Sequence, residues 1–251
     1  MKLSFIIPAY NEEHYIGKCL ASITEQCRAG KCDVEVIVVN NASTDRTSTV
    51  AASFPEVRVV YEPKKGIVRA RRAGYLASTG ELIANIDADT ILSPGWLDKV
   101  FREFNADPAL AALSGPYIYH DLFWFSNLLT RMFYYLGHIL HTFGRYILRR
   151  KNAGMLQGGN FIIRRTALEA IGGYDTSIEF YGEDTDIARR ASAVGRVHFT
   201  FDLPMYTSGR RLKKEGVITM GVKYGINHLW VLFFEKPFTR EYIDIRPPRK
   251  N

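Results

Sequence analysis

The sequence predicts an α/β protein in which a mostly parallel, Rossmann-like central sheet is flanked by helices, with amphipathic helices towards the C-terminus. Short apolar segments alternate with segments of helical period through the first half of the chain. The apolar segments are rich in β-branched residues, as buried parallel strands are. Strands that alternate with helical segments of about a dozen residues indicate βαβ units with right-handed crossovers.

Four strands are expected in this half of the chain. Each is an apolar run that ends at a proline, an asparagine or an acidic residue, and the four cover residues 3–7, 34–39, 57–61 and 82–86. The helices expected after them cover residues 12–26, 45–53, 66–78 and 94–105. Ser43 or Thr44 can cap the second helix, and Pro94 stands at a permitted position early in the fourth.

The loops that follow these strands are polar. They cover residues 8–12, 40–45, 62–66 and 87–90, and none of them is apolar. In open parallel sheets, ligands bind beyond the carboxyl ends of the strands. The sequence therefore predicts a ligand site lined by acids, amides and a lysine pair at this edge of the sheet.

The overall composition is that of an ordinary globular protein with a basic surface. The chain has 251 residues, 47% of them hydrophobic, and a formal net charge of +7. These values exclude a disordered or fibrous chain. The positive charge predicts attraction to anions, which composition alone leaves open between nucleic acid, phosphate groups and an acidic membrane.

Cysteine usage and hydropathy favour a cytoplasmic protein. The three cysteines lie within residues 19–32 and match neither a disulfide framework nor a zinc finger, so we expect free thiols. No targeting peptide is recognised at the N-terminus. The longest apolar segment, 122–148, is interrupted by Arg131 and Arg145, and too few uncharged residues separate them to meet the ~20 that a membrane span needs. We expect no transmembrane helix.

Two common phosphate-binding motifs are absent from the sequence. No G-x-G-x-x-G follows the first strand, and no G-x-x-x-x-G-K-[ST] occurs anywhere. This disfavours a dinucleotide enzyme of the Rossmann type and a P-loop NTPase. A nucleotide bound here would need another source of positive charge for its phosphates.

The strongest chemical signal is Asp87-Ala88-Asp89, directly after the fourth strand. Two carboxylates separated by one small residue can converge on Mg²⁺ or Mn²⁺, with substrate phosphate oxygens completing the coordination. Such a metal would neutralise a diphosphate leaving group. The alternative is a solvated turn in which the aspartates only cap the chain.

The second signal is Gly182-Glu183-Asp184, ahead of a helix expected from Asp186 to Val194. An aspartate in the first turn of a helix is stabilised by the helix dipole and stays ionised near neutral pH. Asp184 would then suit a general base that takes the proton of a hydroxyl. The alternative is plain charge complementarity at the start of a helix.

The ordered set of motifs resembles the family 2 glycosyltransferases, which are inverting enzymes of nucleotide sugars with a GT-A fold. The resemblance covers roughly residues 1–200 and rests on motifs in one order: P-A-Y-N-E at 8–12, N-N-A-S-T-D at 40–45, D-A-D at 87–89, G-G-Y-D at 172–175 and G-E-D at 182–184. Each motif alone is weak, and the set in order is specific.

The resemblance implies roles for individual residues. The nucleotide would contact residues at the strand ends, namely Pro8, Ala9, Tyr10, Glu12, Asn40, Asp45, Gly66, Arg71, Asp87 and Ala88. Asp89 would bind the metal, with Asp87 as a second ligand, and Asp184 would be the catalytic base. The acceptor would contact Gly158, Gly159, Asn160 and Glu183.

One position departs from the family pattern. Members usually have two aspartates and a glycine where this chain has Asn40, Asn41 and Ala42. An amide both donates and accepts hydrogen bonds, so it constrains the base less than a carboxylate does. The donor is therefore expected to carry UDP, as is usual in the family, and GDP and dTDP stay open as alternatives. Alanine at position 42 also predicts that no positive φ is needed there.

A basic segment at residues 208–214 follows the expected core. The family often places a basic or histidine-containing element there, and Arg210 or Arg211 could close over the diphosphate. The alternative is a solvated basic loop. No histidine occupies the segment, so no histidine metal ligand is expected, and His198 is expected to be structural.

Residues 121–151 predict a basic, aromatic-rich amphipathic helix. Its polar stripe contains Arg131, Tyr134, His138, His141 and Arg145, and it ends in a basic run at 149–151. A second such helix is expected at 217–234. These helices could lie on an acidic membrane surface, pack on the sheet or form a dimer interface.

These expectations combine into one domain architecture and one reaction. Residues 1–115 would form the nucleotide-sugar-binding half and 116–210 the acceptor-binding half of one GT-A domain, with a long helix at 121–150, while 211–251 add a basic loop, a helix and a tail. The protein would move a sugar to an acceptor hydroxyl, on a lipid-linked or cell-surface polysaccharide acceptor, in the cytoplasm or peripherally on the inner face of the membrane.

Two other classes of function compete with this one. A non-catalytic relative could bind nucleotide sugars as a scaffold, but retention of both the D-A-D and the G-E-D motif argues against it. A nucleic-acid-binding protein would explain the charge of +7. It would leave the acids unexplained, because carboxylates repel phosphate unless a metal intervenes. We expect no nucleic-acid partner.

Overall fold

The computed structural model describes residues 1–30, 32–147, 154–234, 236, 238, 239, 244 and 246. The strands are β1 (Leu3–Ala9), β2 (Val34–Asn40), β3 (Val57–Tyr61), β4 (Leu82–Ile86), β5 (Thr90–Leu92), β6 (Leu110–Ser114), β7 (Tyr117–Tyr119), β8 (Asn160–Arg164), β9 (Arg196–Phe199) and β10 (Met205–Thr207). The helices are α1 (Ile16–Ala29), α2 (Thr47–Ala52), α3 (Ile67–Ala77), α4 (Trp96–Ala106), α5 (Trp124–Ile147), α6 (Arg165–Ala170), α7 (Glu183–Ala191), α8 (Arg210–Glu215) and α9 (Val217–Phe234).

Seven strands form the main sheet, in the order β3-β2-β1-β4-β8-β6-β9. The four strands of the first half pair in parallel. β8 runs antiparallel to both β4 and β6, and β9 returns parallel to β6. The predicted α/β architecture, with a mostly parallel sheet between helices, is therefore confirmed. A smaller sheet, β5-β10-β7, lies beyond the end of β4.

Each face of the main sheet buries its own apolar cluster. On β1, Phe5 and Ile7 pack on one face, with α1 and Trp96 of α4. Ile6 points to the other face and packs with α3 and with Ile187 of α7. Because side chains alternate along a strand, a strand buried on both faces is mostly apolar, as β1 is apart from Ser4.

Several helices begin at other residues than the sequence predicts. α4 begins at Trp96 with Gly95 as its N-cap, so Pro94 lies before this helix and not inside it. α1 begins at Ile16, because residues 12–15 form a turn in which the Tyr15 amide donates to the Glu12 carbonyl. α2 begins at Thr47, whose amide donates to the Asp45 carboxylate, so neither Ser43 nor Thr44 caps it. α7 begins at Glu183 rather than at Asp186, which places Glu183 and Asp184 in its first turn.

The expectation that position 42 needs no positive φ is wrong. Ala42 has a φ of 59°, in the left-handed region that costs non-glycine residues energy. The neighbouring Asn41 is buried, donates to the carbonyls of Glu62 and Lys64, and accepts from the amide of Gly66. These three bonds fix the chain where β2 ends, and Ala42 takes the strained turn that follows.

Helices α5 and α9 pack against each other on one side of the domain. Among the described residues, no helix is both long and apolar enough to cross a membrane. Within the predicted polar stripe of α5, Tyr134 packs against Phe199 of the sheet and Arg131 is exposed. The side chains of His141 and Arg145, the basic run at 149–151 and all residues after Arg246 lie outside the described part of the chain.

Candidate active site

A cavity of about 510 Å³ lies where the parallel strands end. The strand ends and the loop at 157–159 form its polar floor, and α5, α7, α8 and α9 surround it. This is the place at which open α/β sheets bind ligands. Five predicted acids and three predicted arginines line it or pair with its lining residues: Glu12, Asp87, Asp89, Glu183, Asp184, Arg71, Arg210 and Arg211.

Arg71 forms the buried centre of the cavity floor. Its guanidinium, fully buried on α3, donates to Glu183 of α7, to the Gly158 carbonyl at 2.5 Å and to Asp87 Oδ1 at 3.3 Å. Burial alone would lower the pKa of Arg71, but Glu183 and Asp87 outweigh it and raise that pKa above its usual range. Arg71 thus stays charged and joins β4, α7 and the loop before β8.

Glu183 faces inward rather than into open solvent. Burial raises the pKa of Glu183 to about 7, and the attraction of Arg71 acts against that rise. Oε1 is paired with Arg71, while Oε2 is buried without a hydrogen-bond partner in the described part of the protein. The carboxylate thus lines the cavity with Oε1 held by Arg71 and Oε2 buried.

Asp184 follows in the first turn of α7 and also lines the cavity. Its Oδ1 accepts from the amide of Thr185 at 2.7 Å. Burial raises the pKa of Asp184, opposed by the Thr185 amide and by Arg71. A carboxylate with a raised pKa is a better proton acceptor than a free aspartate, which suits a general base.

The two glycines at positions 158 and 159 keep the floor of the cavity open. A Cβ on Gly158 would lie 3.1 Å from Glu183 Oε1 and 3.5 Å from Asp184 Oδ2. A Cβ on Gly159 would overlap Asp87 Oδ2 and the Tyr117 hydroxyl, each only 2.1 Å away. Side chains here would push into the carboxylates, so the backbone itself forms this wall.

The aspartates of the D-A-D motif have different partners. Asp87 Oδ2 accepts from the hydroxyl of Tyr117 at 3.0 Å, and Oδ1 lies by Arg71. Asp89 Oδ2 lies 3.0 Å from Arg210 Nη2. Burial raises the pKa of Asp89, against the attraction of Arg210. Ala88, between them, is buried.

Arg210 bridges two acids that are far apart in sequence. Besides Asp89, it donates to Glu12 Oε1 at 2.5 Å, and its guanidinium lies over the ring of Tyr15. Glu12 is only 2% exposed, and burial raises its pKa. Arg211 points differently, pairing with Glu215 at 2.8 Å over the ring of Phe180. Of the two predicted arginines, Arg210 alone reaches the acids at the strand ends.

Sequence reasoning missed Arg246. Its Nε lies 3.0 Å from Glu12 Oε1, so a residue near the C-terminus contacts the loop after β1. Asp244 lies 3.8 Å from Lys65, whose ammonium stands over the Tyr10 ring. No local pattern in the sequence could have shown this, since the contact joins residues that only the fold brings together.

The acids fit a divalent cation if the substrate completes its coordination. Residues 1–30, 32–147 and 154–234 contain no cluster of three or more Asp, Glu, His or Cys side chains at metal-binding spacing. Asp89 and Asp87 supply hard carboxylate oxygens, the ligands of Mg²⁺ and Mn²⁺. Mg²⁺ commonly takes one or two carboxylates and receives its other ligands from phosphate and water. The pair therefore suits a metal that arrives with a diphosphate.

The remaining predicted residues lie outside the cavity wall. Asn160 is fully buried, its amide donates to the carbonyls of Gly115 and Leu203, and it accepts from Trp96. The structure therefore does not bring its side chain to the acceptor side. The others stand at the ends of β1 and β2 or before α3, close to the Glu12 side of the site: Pro8, Ala9, Tyr10, Asn40, Asp45 and Gly66.

A sequence model of one protein family matches this chain. The family is described as glycosyl transferase family 2, and the match covers residues 4–172, which include the D-A-D motif and β8. The G-E-D motif lies beyond the end of that match.

Curated relatives match less than half of the chain. The chain is 34% identical over 115 residues to chondroitin synthase of Pasteurella multocida, covering 44% of this chain and 12% of that protein. It is also 34% identical over 120 residues to an N-acetylglucosaminyltransferase of Bradyrhizobium elkanii, covering 45% and 64%. An uncharacterised glycosyltransferase of a Nostoc strain is 28% identical over 118 residues, and the match spans only 36% of that protein's length.

Solved structures share the fold. A mannosyltransferase of Pyrobaculum calidifontis, in complex with GDP-Man and Mn²⁺, superposes with a TM-score of 0.65 at 24% identity, covering 82% of this chain and 56% of that chain. Glucosyl-3-phosphoglycerate synthase of Mycobacterium tuberculosis, with Mn²⁺ and UDP-glucose, gives 0.60 at 20% identity, covering 91% and 78%. Staphylococcus aureus TarS with UDP-GlcNAc gives 0.58 at 20% identity, covering 83% and 58%.

Proposed function

The chain belongs to glycosyltransferase family 2 and has the GT-A fold, and on that premise we propose that it is an inverting glycosyltransferase. It takes a sugar from a nucleoside diphosphate sugar and transfers it to an acceptor hydroxyl. The observation that carries this proposal is the composition of one cavity. Asp184, a half-buried carboxylate with a raised pKa, lines it together with Arg210 and Asp89, which pair with each other.

The reaction follows from a carboxylate that accepts a proton and a cation that stabilises the leaving diphosphate. Asp184 accepts the proton of the acceptor hydroxyl, and the oxygen attacks the anomeric carbon as the bond to the diphosphate breaks on the opposite side. The diphosphate leaves with the bonding electrons, and Arg210 stabilises its developing charge. One displacement inverts the anomeric centre, and no covalent enzyme intermediate forms.

A divalent cation is proposed as the cofactor, either Mg²⁺ or Mn²⁺. Asp89 would hold it, with Asp87 beside it, and Arg71 and Tyr117 keep the Asp87 carboxylate in place. When bound, the ion neutralises the charge of the diphosphate. The neighbouring mannosyltransferase and glucosyl-3-phosphoglycerate synthase were both solved with Mn²⁺, which supports this choice.

We propose a UDP sugar as the donor, with GDP and dTDP sugars as the alternatives. The nucleotide lies over the ends of β1 and β2, where the resemblance assigned Pro8, Ala9, Tyr10, Asn40 and Asp45. Neighbours of this fold bind UDP-GlcNAc, UDP-glucose and GDP-Man, so the fold accepts more than one base.

The acceptor half is proposed to lie between residues 116 and 210, on the side of Glu183, Gly158 and Gly159. The acceptor is a glycan or a lipid-linked sugar, and the enzyme works in the cytoplasm, peripherally on the inner face of the membrane. The exposed apolar side chains of α5 and α9 support a surface association of this kind, and they would equally serve a homodimer.

A pair of aspartate variants tests the base. Asp184→Asn should bind nucleotide sugars with the affinity of the wild type and lose transfer. Asp175→Asn, the same change at an aspartate in the loop before α7, should keep both. Thermal shifts with UDP, GDP and dTDP, each with and without Mg²⁺ or Mn²⁺, identify the base and the metal requirement. Undiminished transfer by Asp184→Asn would overturn the assignment.

A further inference from the structure

The geometry points to an acceptor that carries a long apolar chain. We propose that this chain leaves the cavity through a gap between α5 and α9 and enters the bilayer on which these two helices lie. The inference rests on the proposed transferase function and specifies the chemical class of its acceptor: an amphiphile with a sugar or hydroxyl head at Asp184 and a hydrocarbon tail.

The cavity changes character from one end to the other. Near Glu183 and Asp184 its walls are charged. On the far side, α5 contributes Phe133 and Leu136, and α9 contributes Tyr224. A sugar nucleotide is polar and charged, so an apolar compartment of this kind would not stabilise it. An apolar tail attached to the acceptor would be stabilised there, because its burial removes apolar surface from water.

Two glycines leave a gap between the helices. Gly137 of α5 and Gly225 of α9 both line the cavity, and a Cβ added to either would meet nothing within 4 Å. The helices are in close contact at another point, because a Cβ on Gly221 would lie 2.9 Å from the ring of Phe133. The helices therefore touch at Gly221 and leave open space at Gly137 and Gly225.

The gap connects the cavity with the outer surface. Leu136 lines the cavity and is also 53% exposed, and Tyr224 lines it and is 43% exposed. Around them, the outer faces of both helices expose large apolar side chains: Trp124, Phe125, Leu128, Met132, Ile139, Ile218, Val222, Ile226, Leu229, Trp230 and Phe234. An exposed apolar surface of this extent marks an interaction site.

The charge of this surface favours a bilayer over a protein partner. Neither the 24 residues of α5 nor the 18 of α9 include an aspartate or a glutamate, and Arg131 of α5 is exposed. Anionic phospholipids attract such a surface, and tryptophans such as Trp124 and Trp230 prefer the interface. Since no described helix can cross a membrane, these two would lie in the plane of the interface.

The first experiment measures binding to vesicles that contain an anionic phospholipid, at low salt. The full chain should co-sediment with them. Met132→Asp and Val222→Asp, on exposed positions of α5 and α9, should abolish co-sedimentation and keep binding of the nucleotide sugar. Leu76→Asp is the matched control, since Leu76 is 65% exposed on α3, away from this surface. A wild-type chain that stays in the supernatant, or elutes as a dimer that Met132→Asp splits, would overturn the bilayer assignment.

The second experiment tests the gap. Calorimetry compares methyl and dodecyl glycosides, the latter below its micellar concentration. The wild type should bind the dodecyl compound at least tenfold more tightly, which corresponds to about two buried methylenes. Gly225→Leu and Gly137→Leu fill the gap and should remove this preference. Thr142→Leu adds a leucine to an exposed position of α5 and should leave it unchanged.

A measurement of donor binding distinguishes a failure of the transferase assignment from a failure of the proposed route for the apolar chain. If the wild type binds no nucleoside diphosphate, the transferase assignment fails, whether or not the glycosides bind. If it binds the donor but shows no preference for the dodecyl chain, the chain route fails and the transferase assignment stands. A preference that survives in Gly225→Leu and Gly137→Leu places the chain elsewhere and also overturns the inference.

Discussion

Arg71 and Glu183, which lie 112 residues apart in the chain, form a buried ion pair at the floor of the cavity. Their side chains are 1% and 7% exposed. The pair joins the helix after β3 to the first turn of α7, and Arg71 also holds Asp87 and the carbonyl of Gly158. The position of the proposed base thus depends on an arginine that is itself not accessible to a substrate.

Replacement of Arg71 by methionine should destabilise the protein strongly. It leaves Glu183 and Asp87 without their cation, and breaking a buried pair typically costs about 3–5 kcal/mol. The pKa of Glu183, already raised to about 7 by burial, would rise further. An acid with a raised folded-state pKa loses stability as pH increases, so the loss should be larger above pH 7 than below it.

Urea unfolding of Arg71→Met at several pH values checks this prediction. Arg72→Met is the matched control, since Arg72 is exposed one position along the same helix, and it should be nearly neutral. The double variant Arg71→Met/Glu183→Gln should recover part of the stability. A destabilisation of Arg71→Met no greater than that of Arg72→Met would contradict the account.

The sequence predicts the fold well because the relevant information is local. Apolar runs and polar loops place β1 to β4 and the ligand edge of the sheet, and this includes Asp87 and Asp89. The Arg71–Glu183 pair and the Arg210–Glu12 pair could not be predicted, because they depend on how distant elements pack. Periodicity shows that α3 has a buried face, but not that an arginine on that face finds two acids.

Asn160 is a second residue whose place in the structure could not be predicted from the local sequence. Its position after Gly158-Gly159 assigned it to the acceptor by resemblance, yet β8 lies in the middle of the sheet. Residues that neighbour one another along a strand point to opposite faces. Which face meets the cavity is decided by the pairing of β8 with β4 and β6, and that pairing is not visible in a local motif.

Asn160→Ala should therefore affect stability and not acceptor use. The change leaves the indole N–H of Trp96 and the carbonyls of Gly115 and Leu203 without their partner. Three buried groups left unsatisfied should cost about 3 kcal/mol or more. Chemical denaturation measures this loss in the free energy of unfolding. Asn105→Ala, which changes an exposed residue of α4, is the control. A folded Asn160→Ala protein with normal stability and a raised acceptor KM would contradict this prediction. It would support the acceptor contact that the resemblance implies for Asn160.

Arg210 and Arg211 should differ in their effect on donor binding. Arg210 lies between Glu12 and Asp89, where a diphosphate and its metal would be held, whereas Arg211 pairs with Glu215. Hydrogen bonds to charged groups contribute about 1.5–3 kcal/mol, so Arg210→Gln should weaken nucleotide-sugar binding roughly ten- to a hundredfold. Titration calorimetry measures both variants, after melting curves show that they fold. Equal losses in Arg210→Gln and Arg211→Gln would contradict this distinction.

Arg246 should contribute to donor binding from outside the region that matches the family. It contacts Glu12, and Asp244 contacts Lys65, so these two residues lie beside the loops after β1 and β3. Arg246→Ala should raise the Kd of the nucleotide sugar several-fold, because one cation near the diphosphate is lost. Arg246→Lys should retain part of the affinity. Lys236→Ala, at an exposed lysine of the same tail, is the control, and an equal effect there would attribute the change to net charge alone.

The pH dependence of transfer should identify the base. Burial raises the pKa of Asp184, so the base becomes protonated, and the rate falls, at a higher pH than an exposed aspartate with a pKa of about 3.9 would allow. The acid side of the profile of kcat/KM reports this group in the free enzyme. Glu183, with a pKa of about 7, is the competing explanation. Glu183→Gln distinguishes them: if Asp184 is the base, the acid limb persists in this variant at reduced stability. Its disappearance, with transfer retained, would instead assign the limb to Glu183, because a glutamine cannot titrate.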